Sequence, residues 1–211
     1  AHIFDSIQTK GYTEIICTHH EQAACMAIQT YYRTSGKIAA AILTTGAGCT
    51  NAITGVVSAW ADSIPGIIIS GNEHSKYVES HKNSRMWGVQ GYDSPAMVEK
   101  VTKYSKQVLD VNYVIYELEK AISLALHGRP GPCWIDIPMN LQSENINEKD
   151  IRTFTSSELP NLKLDSEEDL FVNIESLTDS LKIAKRPLFW FGNGVRLSGG
   201  EQLLKDLLEK Y

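Results

Sequence analysis

What is scarce in this chain limits what it can be. Its four cysteines, Cys17, Cys25, Cys49 and Cys133, form no Cys-x-x-Cys pair, which argues against a zinc knuckle or a thioredoxin-type motif. Each lies in or beside an apolar stretch, as reduced buried thiols do. No apolar run approaches the roughly 20 residues that span a bilayer. No signal-peptide pattern opens the sequence, so a cytoplasmic protein is expected. Charge of neither sign collects into a run, and 20 Lys and Arg against 25 Asp and Glu leave a net charge of -5. That balance argues against nucleic acid or an anionic membrane as partner. There is no Gly-x-Ser-x-Gly elbow for a serine hydrolase. His19 and His20 are sequence neighbours whose side chains diverge, whereas a helical metal pair wants i, i+4 spacing. No other His/Asp/Glu cluster has ligand spacing, so no metal residues are assigned. There is no internal repeat and no low-complexity tract.

What is present is enough for one full core and part of a second: 211 residues, 43% of them hydrophobic. Five short apolar runs read as strands buried on both faces: 15–18, 38–44, 66–70, 133–137 and 188–191. They do not alternate with polar residues, as suits a parallel sheet covered by helices on both faces. Helical patterns separate them. Residues 21–35 carry Ala24, Ile28, Tyr31 and Tyr32 on one face, with Gly36 as C-cap. Residues 51–61 carry Ile53, Val56, Val57 and Trp60, and 114–126 carry Val114, Ile115, Leu118, Ile122 and Ala125. The expected class is α/β, a parallel sheet flanked by helices on both faces. From about Leu141 the chain turns polar and acidic. The expected organisation is an α/β domain over 1–142, a linker over 143–180, and the start of a second α/β domain over 181–211.

Two stretches carry chemistry. The apolar run 14–18 leads into His20-Glu21-Gln22-Ala23-Ala24, which sets Glu21 at the carboxyl end of an expected strand, where ligands bind in open α/β sheets. A glutamate in a helix's first turn is also an ordinary complement to the helix dipole. The second stretch, Thr44-Thr45-Gly46-Ala47-Gly48-Cys49-Thr50-Asn51, follows a strand and opens a helix. Its missing side chains and free amides suit close approach of an electron-rich ligand. It lacks the Gly-Lys-Ser/Thr ending of a phosphate loop, and Asn51 replaces the third glycine of a dinucleotide fingerprint. A structural tight turn remains the alternative.

Taken together and in order, five stretches carry a resemblance. They are His20–Ala24; Thr45–Gly55; Ala61-Asp62-Ser63-Ile64-Pro65 with Ser70-Gly71-Asn72; Gln90-Gly91-Tyr92-Asp93 leading to Val101–Ser105; and Gly128–Pro138. This set resembles the N-terminal pyrimidine-binding domain of thiamine-diphosphate-dependent enzymes, in the acetolactate synthase-like branch. The likeness covers about residues 1–142, a domain whose usual first strand is missing here, and 187–194 is similar to the entry to that family's central domain.

The resemblance implies that Glu21 contacts the cofactor's pyrimidine ring and favours the tautomer that serves as the cofactor's internal base. Burial is expected to raise its pKa and a hydrogen-bonding partner to tune it. It implies that Thr45, Gly46 and Asn51 lie against the cofactor, and that Ala47 and Gln90 line the substrate pocket. Ala47 stands where a stiffening proline is commoner. Asn51 could orient the loop or cap the helix, and Gln90 could equally be an exposed loop residue. Lys103 and Arg129 read as structural. The family's Gly-Asp-Gly and distant Asn-Asn, which mark the diphosphate and magnesium site, do not occur in these 211 residues. The expectation is part of a longer homodimer or homotetramer with thiamine diphosphate and Mg between subunits, and FAD admitted in a middle domain. The implied activity is a carboligase or decarboxylase, a transferase or lyase, acting on a 2-oxo acid such as pyruvate. Ser84–Gln90 is similar to relatives that add a pyruvate-derived acyl unit to a sugar ketone in surface-polysaccharide biosynthesis, which is the alternative substrate reading. A non-catalytic α/β module is the other.

Overall fold

The computed structural model describes residues 2–80, 83–162 and 166–210. The chain divides into two compact units, Ala1–Asn161 and Leu162–Tyr211. The first is built on a four-stranded parallel sheet, so the α/β expectation holds. Its strands are β1 (Ala40–Leu43), β2 (Gly66–Asn72), β3 (Tyr104–Gln107) and β4 (Pro132–Pro138), in the order β1-β2-β4-β3. Its helices are α1 (His2–Lys10), α2 (Glu21–Ser35), α3 (Ala47–Ala61), α4 (Ser75–Ser80), α5 (Ser94–Val98) and α6 (Val114–Leu126).

Side chains alternate across the sheet, so the central strands β2 and β4 feed two cores. On one face Ile68 and Trp134 pack with Cys25 and Ile28 of α2, Cys49, Ala52 and Val56 of α3, and Val98. On the other, Ile67, Cys133, Ile135 and Ile137 pack with Ala121 and Ala125 of α6, Val108, Val111 and Leu141. This double burial is why β2 and β4 read as unbroken apolar runs. β3 was not legible as one. It is an edge strand, Tyr-Ser-Lys-Gln, paired only to β4 and partly exposed.

Two expected strands are absent. Residues 14–18 form no strand, and Ile16 is 78% exposed. A parallel strand needs a neighbour for its backbone groups, and β1 forms its ladder with β2 alone. The exposure of this segment also leaves Cys17 outside the core, unlike Cys25, Cys49 and Cys133. Residues 188–191 form no strand either. Leu188 and Trp190 are exposed, and no strand occurs among the described residues of the second unit to pair with them. The described residues of that unit hold three helices, α7 (Glu167–Ile183), α8 (Gly194–Leu197) and α9 (Glu201–Lys210).

Helix faces also differ from the sequence reading. Gly36 caps α2 in the left-handed conformation (φ 70°), its N–H donating to the Tyr32 carbonyl, as expected. The buried face of α2 is Cys25, Ile28 and Gln29, however, and Tyr31 is exposed. On α3 the buried residues are small: Gly48, Cys49, Ala52, Gly55, Val56 and Ala59. A Cβ at Gly55 would stand 2.5 Å from Cys25 Cβ. The two helices approach too closely for large residues, so Val57 and Trp60 face outward. Gln29 fastens the crossing, its Nε2 donating to the Gly55 carbonyl at 2.8 Å and its Oε1 accepting from Ser58 Oγ at 3.1 Å. On α6 the buried set is Glu117, Ala121 and Ala125, while Ile115 and Ile122 are exposed.

Within the polar stretch after β4, residues 152–160 lie against α6 and the turns at its two ends. Arg152 N donates to the Asn112 carbonyl, Phe154 N to Glu119, and Tyr116 OH to Glu158. His127 Nε2 meets the Pro160 carbonyl at 2.8 Å.

Candidate functional site

The site forms where α2 and α3 begin, at the carboxyl end of β1. His20 is the N-cap of α2, its Nδ1 accepting from Gln22 N at 3.1 Å. That cap sets Glu21 as the first helical residue, with no strand leading into it. After β1 the chain turns at Gly46, whose φ of 70° suits glycine. The Gly46 carbonyl accepts from Cys49 N and Thr50 N, so α3 starts four residues earlier than its apolar pattern suggested. Ala47 and Gly48 are helix, not loop.

Asn51 joins the two helix starts, its Nδ2 donating to Glu21 Oε2 at 3.1 Å. Asn51 therefore does not cap α3, where Gly46 stands. It holds the glutamate. Gly48 makes room for the pair, since a Cβ there would lie 3.2 Å from Glu21 Oε1 and 2.6 Å from Thr44 Cγ2. Gln90 closes in from a different part of the chain. A Cβ at Gly46 would stand 3.0 Å from the Gln90 carbonyl oxygen and 3.1 Å from its Cβ. Thr45 Oγ1 is buried beside this turn and makes no hydrogen bond within the described residues. A buried hydroxyl without a partner is costly, and here it leaves one unspent donor and acceptor in the turn, at the residue before Gly46. Ala47 is exposed at the first position of α3, where its carbonyl accepts from Thr50 Oγ1.

Thus Glu21, Asn51, Gly46 and Gln90 are tied together by contact or by close approach, and Gly48 belongs with them. The sequence reading missed Gly48 as a separate requirement. Its signal was the second glycine of Thr45-Gly46-Ala47-Gly48, four residues after a strand end.

The electrostatics differ from expectation. Glu21 is held below the ordinary carboxylate value, chiefly by its own backbone N–H, then by the Asn51 amide, with His20 adding to the effect. Burial pulls the other way, and it is too slight to win. On this surface the helix start favours the ionised acid. The thiols nearby are inert: burial pushes Cys25 and Cys49 up to about 12.

A second carboxylate lies deeper. The sheet register sets Ser70 opposite Asp136, and Asp136 opposite Gln107. Asp136 is fully buried and accepts from Ser70 Oγ (2.9 Å), Ser94 Oγ (2.6 Å), Asn72 Nδ2 (3.0 Å) and Gln107 Nε2 (3.1 Å). Trp134 Nε1 donates to Ser70 Oγ at 2.8 Å. Burial raises Asp136 to about 6, and these hydrogen bonds limit the rise. Lys103 and Arg129, read as structural, anchor turns: Lys103 Nζ donates to the His127 carbonyl, and Arg129 Nε to Ser63 Oγ at 2.7 Å. Ser63 is a non-glycine residue in the left-handed region, with φ 56°.

In open α/β sheets ligands bind at the carboxyl ends of the strands, which is where this acid and the bare glycine turn lie. The family model for the thiamine pyrophosphate enzyme N-terminal TPP binding domain matches residues 1–100. The large subunit of acetolactate synthase from Haemophilus influenzae is 32% identical over 218 residues, covering 96% of this chain and 34% of that protein. Acetolactate synthase isozyme 3 large subunit of Escherichia coli is 30% identical over 217 residues, covering 98% and 35%. The large subunit from Lactococcus lactis is 28% identical over 215 residues, covering 99% and 35%. Residues 1–100 belong to the N-terminal TPP-binding domain family of thiamine pyrophosphate enzymes, and nearly the whole chain is similar to acetolactate synthase large subunits. It spans about a third of the length of the curated relatives it matches.

Among the described residues no group of three or more His, Cys, Asp or Glu is arranged to hold a metal ion, and no helix is long and apolar enough to cross a membrane.

Proposed function

We propose that this chain supplies the pyrimidine-binding half of the active site of a thiamine-diphosphate-dependent enzyme that consumes a 2-oxo acid such as pyruvate. The observation that carries it is the Glu21–Asn51 pair against the Gly46–Gly48 turn, in which the Thr45 hydroxyl is buried and unbonded. The residues present fit the pyrimidine end of the cofactor. Glu21 is a carboxyl able to bond a ring nitrogen, Thr45 offers a free hydroxyl, and the glycines leave the backbone bare. When bound, thiamine diphosphate supplies a carbon centre that stabilises negative charge on the substrate's former carbonyl carbon.

Glu21 holds or gives up a proton at its Oε atoms. Asn51 fixes which oxygen faces the ring, and Gln90 with Ala47 borders the substrate. Covering Glu21 with a second surface would remove it from water and move its pKa upward, against the present direction. Such a surface fits a homodimer or homotetramer whose partner subunit carries the diphosphate and Mg residues, with FAD, if used, in a central domain. In this reading residues 1–142 form the pyrimidine-binding domain, 143–180 a linker and 181–211 the opening of the central domain, in a cytoplasmic transferase or lyase.

The relatives named above are acetolactate synthases, which gives no support to a sugar-ketone acceptor. The same likeness gives no support to a non-catalytic module. The test is calorimetric titration of the protein at its natural length with thiamine diphosphate and Mg, alongside pyruvate consumption. Saturable binding with turnover is expected. No binding at millimolar cofactor overturns the reading.

A further inference from the structure

The loop that carries Gln90 is wrapped around one side chain, Glu73, which the sequence motifs do not include. Glu73 follows directly on β2. Its Oε1 accepts from the backbone N–H of Val89 at 3.3 Å and of Gln90 at 3.2 Å. The loop closes on itself through a two-way bridge, Trp87 N to Gly91 O and Gly91 N to Trp87 O, both 2.8 Å. Both glycines of the loop are shaped to the acid. Gly88 has φ +57°, and a Cβ there would lie 2.8 Å from Glu73 Cδ and Oε2. A Cβ at Gly91 would lie 2.7 Å from Glu73 Cγ and 2.8 Å from Asn72 Oδ1. Trp87 is buried at the base of the loop, whereas Gln90 is exposed at its tip.

Glu73 is itself held from below. Its N–H donates to Asn72 Oδ1 at 2.9 Å. Asn72 Nδ2 donates to Asp136 and to the Tyr92 carbonyl, which lies just past the loop. At the far end, Gln90 presses on Gly46. A continuous set of contacts thus runs from the buried Asp136 through Asn72 and Glu73 to Gln90 and the Gly46 turn.

We infer that Glu73 is the positioning residue for Gln90: its carboxylate gathers the Val89 and Gln90 amides and fixes the Gln90 side chain against Gly46 at the mouth of the substrate pocket. The inference rests on the proposed function for its catalytic meaning. Its structural content concerns this chain alone. A loop tip of exposed residues has little packing to keep one conformation. Two amides directed at one carboxylate supply the missing constraint through charge-assisted hydrogen bonds.

The test compares Glu73→Ala, Glu73→Gln and Gly88→Ala with wild type, in the protein at its natural length. The first measurement is amide hydrogen exchange without cofactor or substrate. Glu73→Ala is expected to speed exchange at Val89 and Gln90 by about tenfold or more, leaving 133–137 in β4 unchanged. The second is steady-state turnover of pyruvate. Glu73→Ala is expected to raise KM about tenfold with kcat within about threefold, the mark of lost substrate placement rather than lost chemistry. Glu73→Gln keeps an acceptor oxygen and should recover at least half of the lost affinity. Gly88→Ala perturbs the same contact from the loop side and should raise KM likewise, which keeps the test open should Glu73→Ala fail to fold. Wild-type exchange and wild-type KM in Glu73→Ala, or in Gly88→Ala, overturn the inference. Absence of pyruvate turnover in the wild type overturns the proposed function instead, and the exchange comparison still decides the role of Glu73.

Discussion

Two carboxylates stand near the carboxyl end of the same sheet, and their surroundings push them in opposite directions. Asp136 is sealed under α5 and the strand ends, with donors from four side chains around it. Burial raises it to about 6. Glu21 lies partly open at a helix start, with one side-chain partner, and is held below its usual value. Asp136 has no bonding capacity directed at a ligand. Glu21 is only partly covered, so a group arriving from solvent can still reach it. A fully satisfied buried acid organises structure, whereas an acid with unspent capacity can act on something that arrives.

Exchanging the two acids' roles experimentally would break this contrast. The largest effect is expected from Glu21→Gln, which keeps the shape and removes the ionisable group. Pyruvate turnover should fall about 1000-fold, with the urea midpoint nearly unchanged. Near-normal turnover would assign Glu21 to the helix dipole alone. Asp136→Ala should do the reverse, costing about 3 kcal/mol by stranding donors from Ser70, Ser94, Asn72 and Gln107. Denaturation followed by Trp134 fluorescence reads this.

Asp136 also sets a pH signature. Its folded value of about 6 lies above its ordinary 3.8, so the folded state binds the proton more tightly than the unfolded chain. The resulting stability is full below about pH 4 and is lost as pH rises through about 6, on the order of 3 kcal/mol. Glu21 has the opposite sign: its contribution is present above the ordinary 4.5 and lost as pH falls. Asp136→Asn should flatten the decline between pH 4 and 6, and a wild-type slope in that variant would remove Asp136 as its source. Gly55→Ala, which forces a Cβ to within 2.5 Å of Cys25 Cβ, should cost about 2 kcal/mol by prising α2 from α3. The smallest effect is expected from Asn51→Ala. Glu21 should titrate closer to its ordinary value by NMR, and cofactor affinity should drop by about tenfold at most.

How much of this was legible depends on how local the cause is. Apolar runs at 38–44, 66–70 and 133–137 became β1, β2 and β4, with both faces of β2 and β4 and one face of β1 buried. The same kind of run at 15–18 and 188–191 did not, because a strand exists only where a neighbour completes its ladder. β3 escaped notice for the converse reason, having a neighbour but little apolar surface. At the site, Glu21 and the Gly46–Gly48 turn stood out as residue types. Asn51 was recognised, but its bond to Glu21 was not legible, since that partner lies 30 residues away. Glu73 was not singled out at all, because its meaning comes from two glycines and two amides some 16 residues further on.

By itself the sequence determined the class of sheet, the capped extent of α2, and which side chains could carry chemistry. These follow from periodicity, from glycine's tolerance of positive φ, and from the acid–base nature of single residues. Only the tertiary structure decided the strand order, the small-residue face of α3, the row of Ser70, Asp136 and Gln107, and the sign of the shift at Glu21. Each depends on groups brought together from distant positions, where distance, burial and available partners set the energy, and none of these is a property of the residue alone.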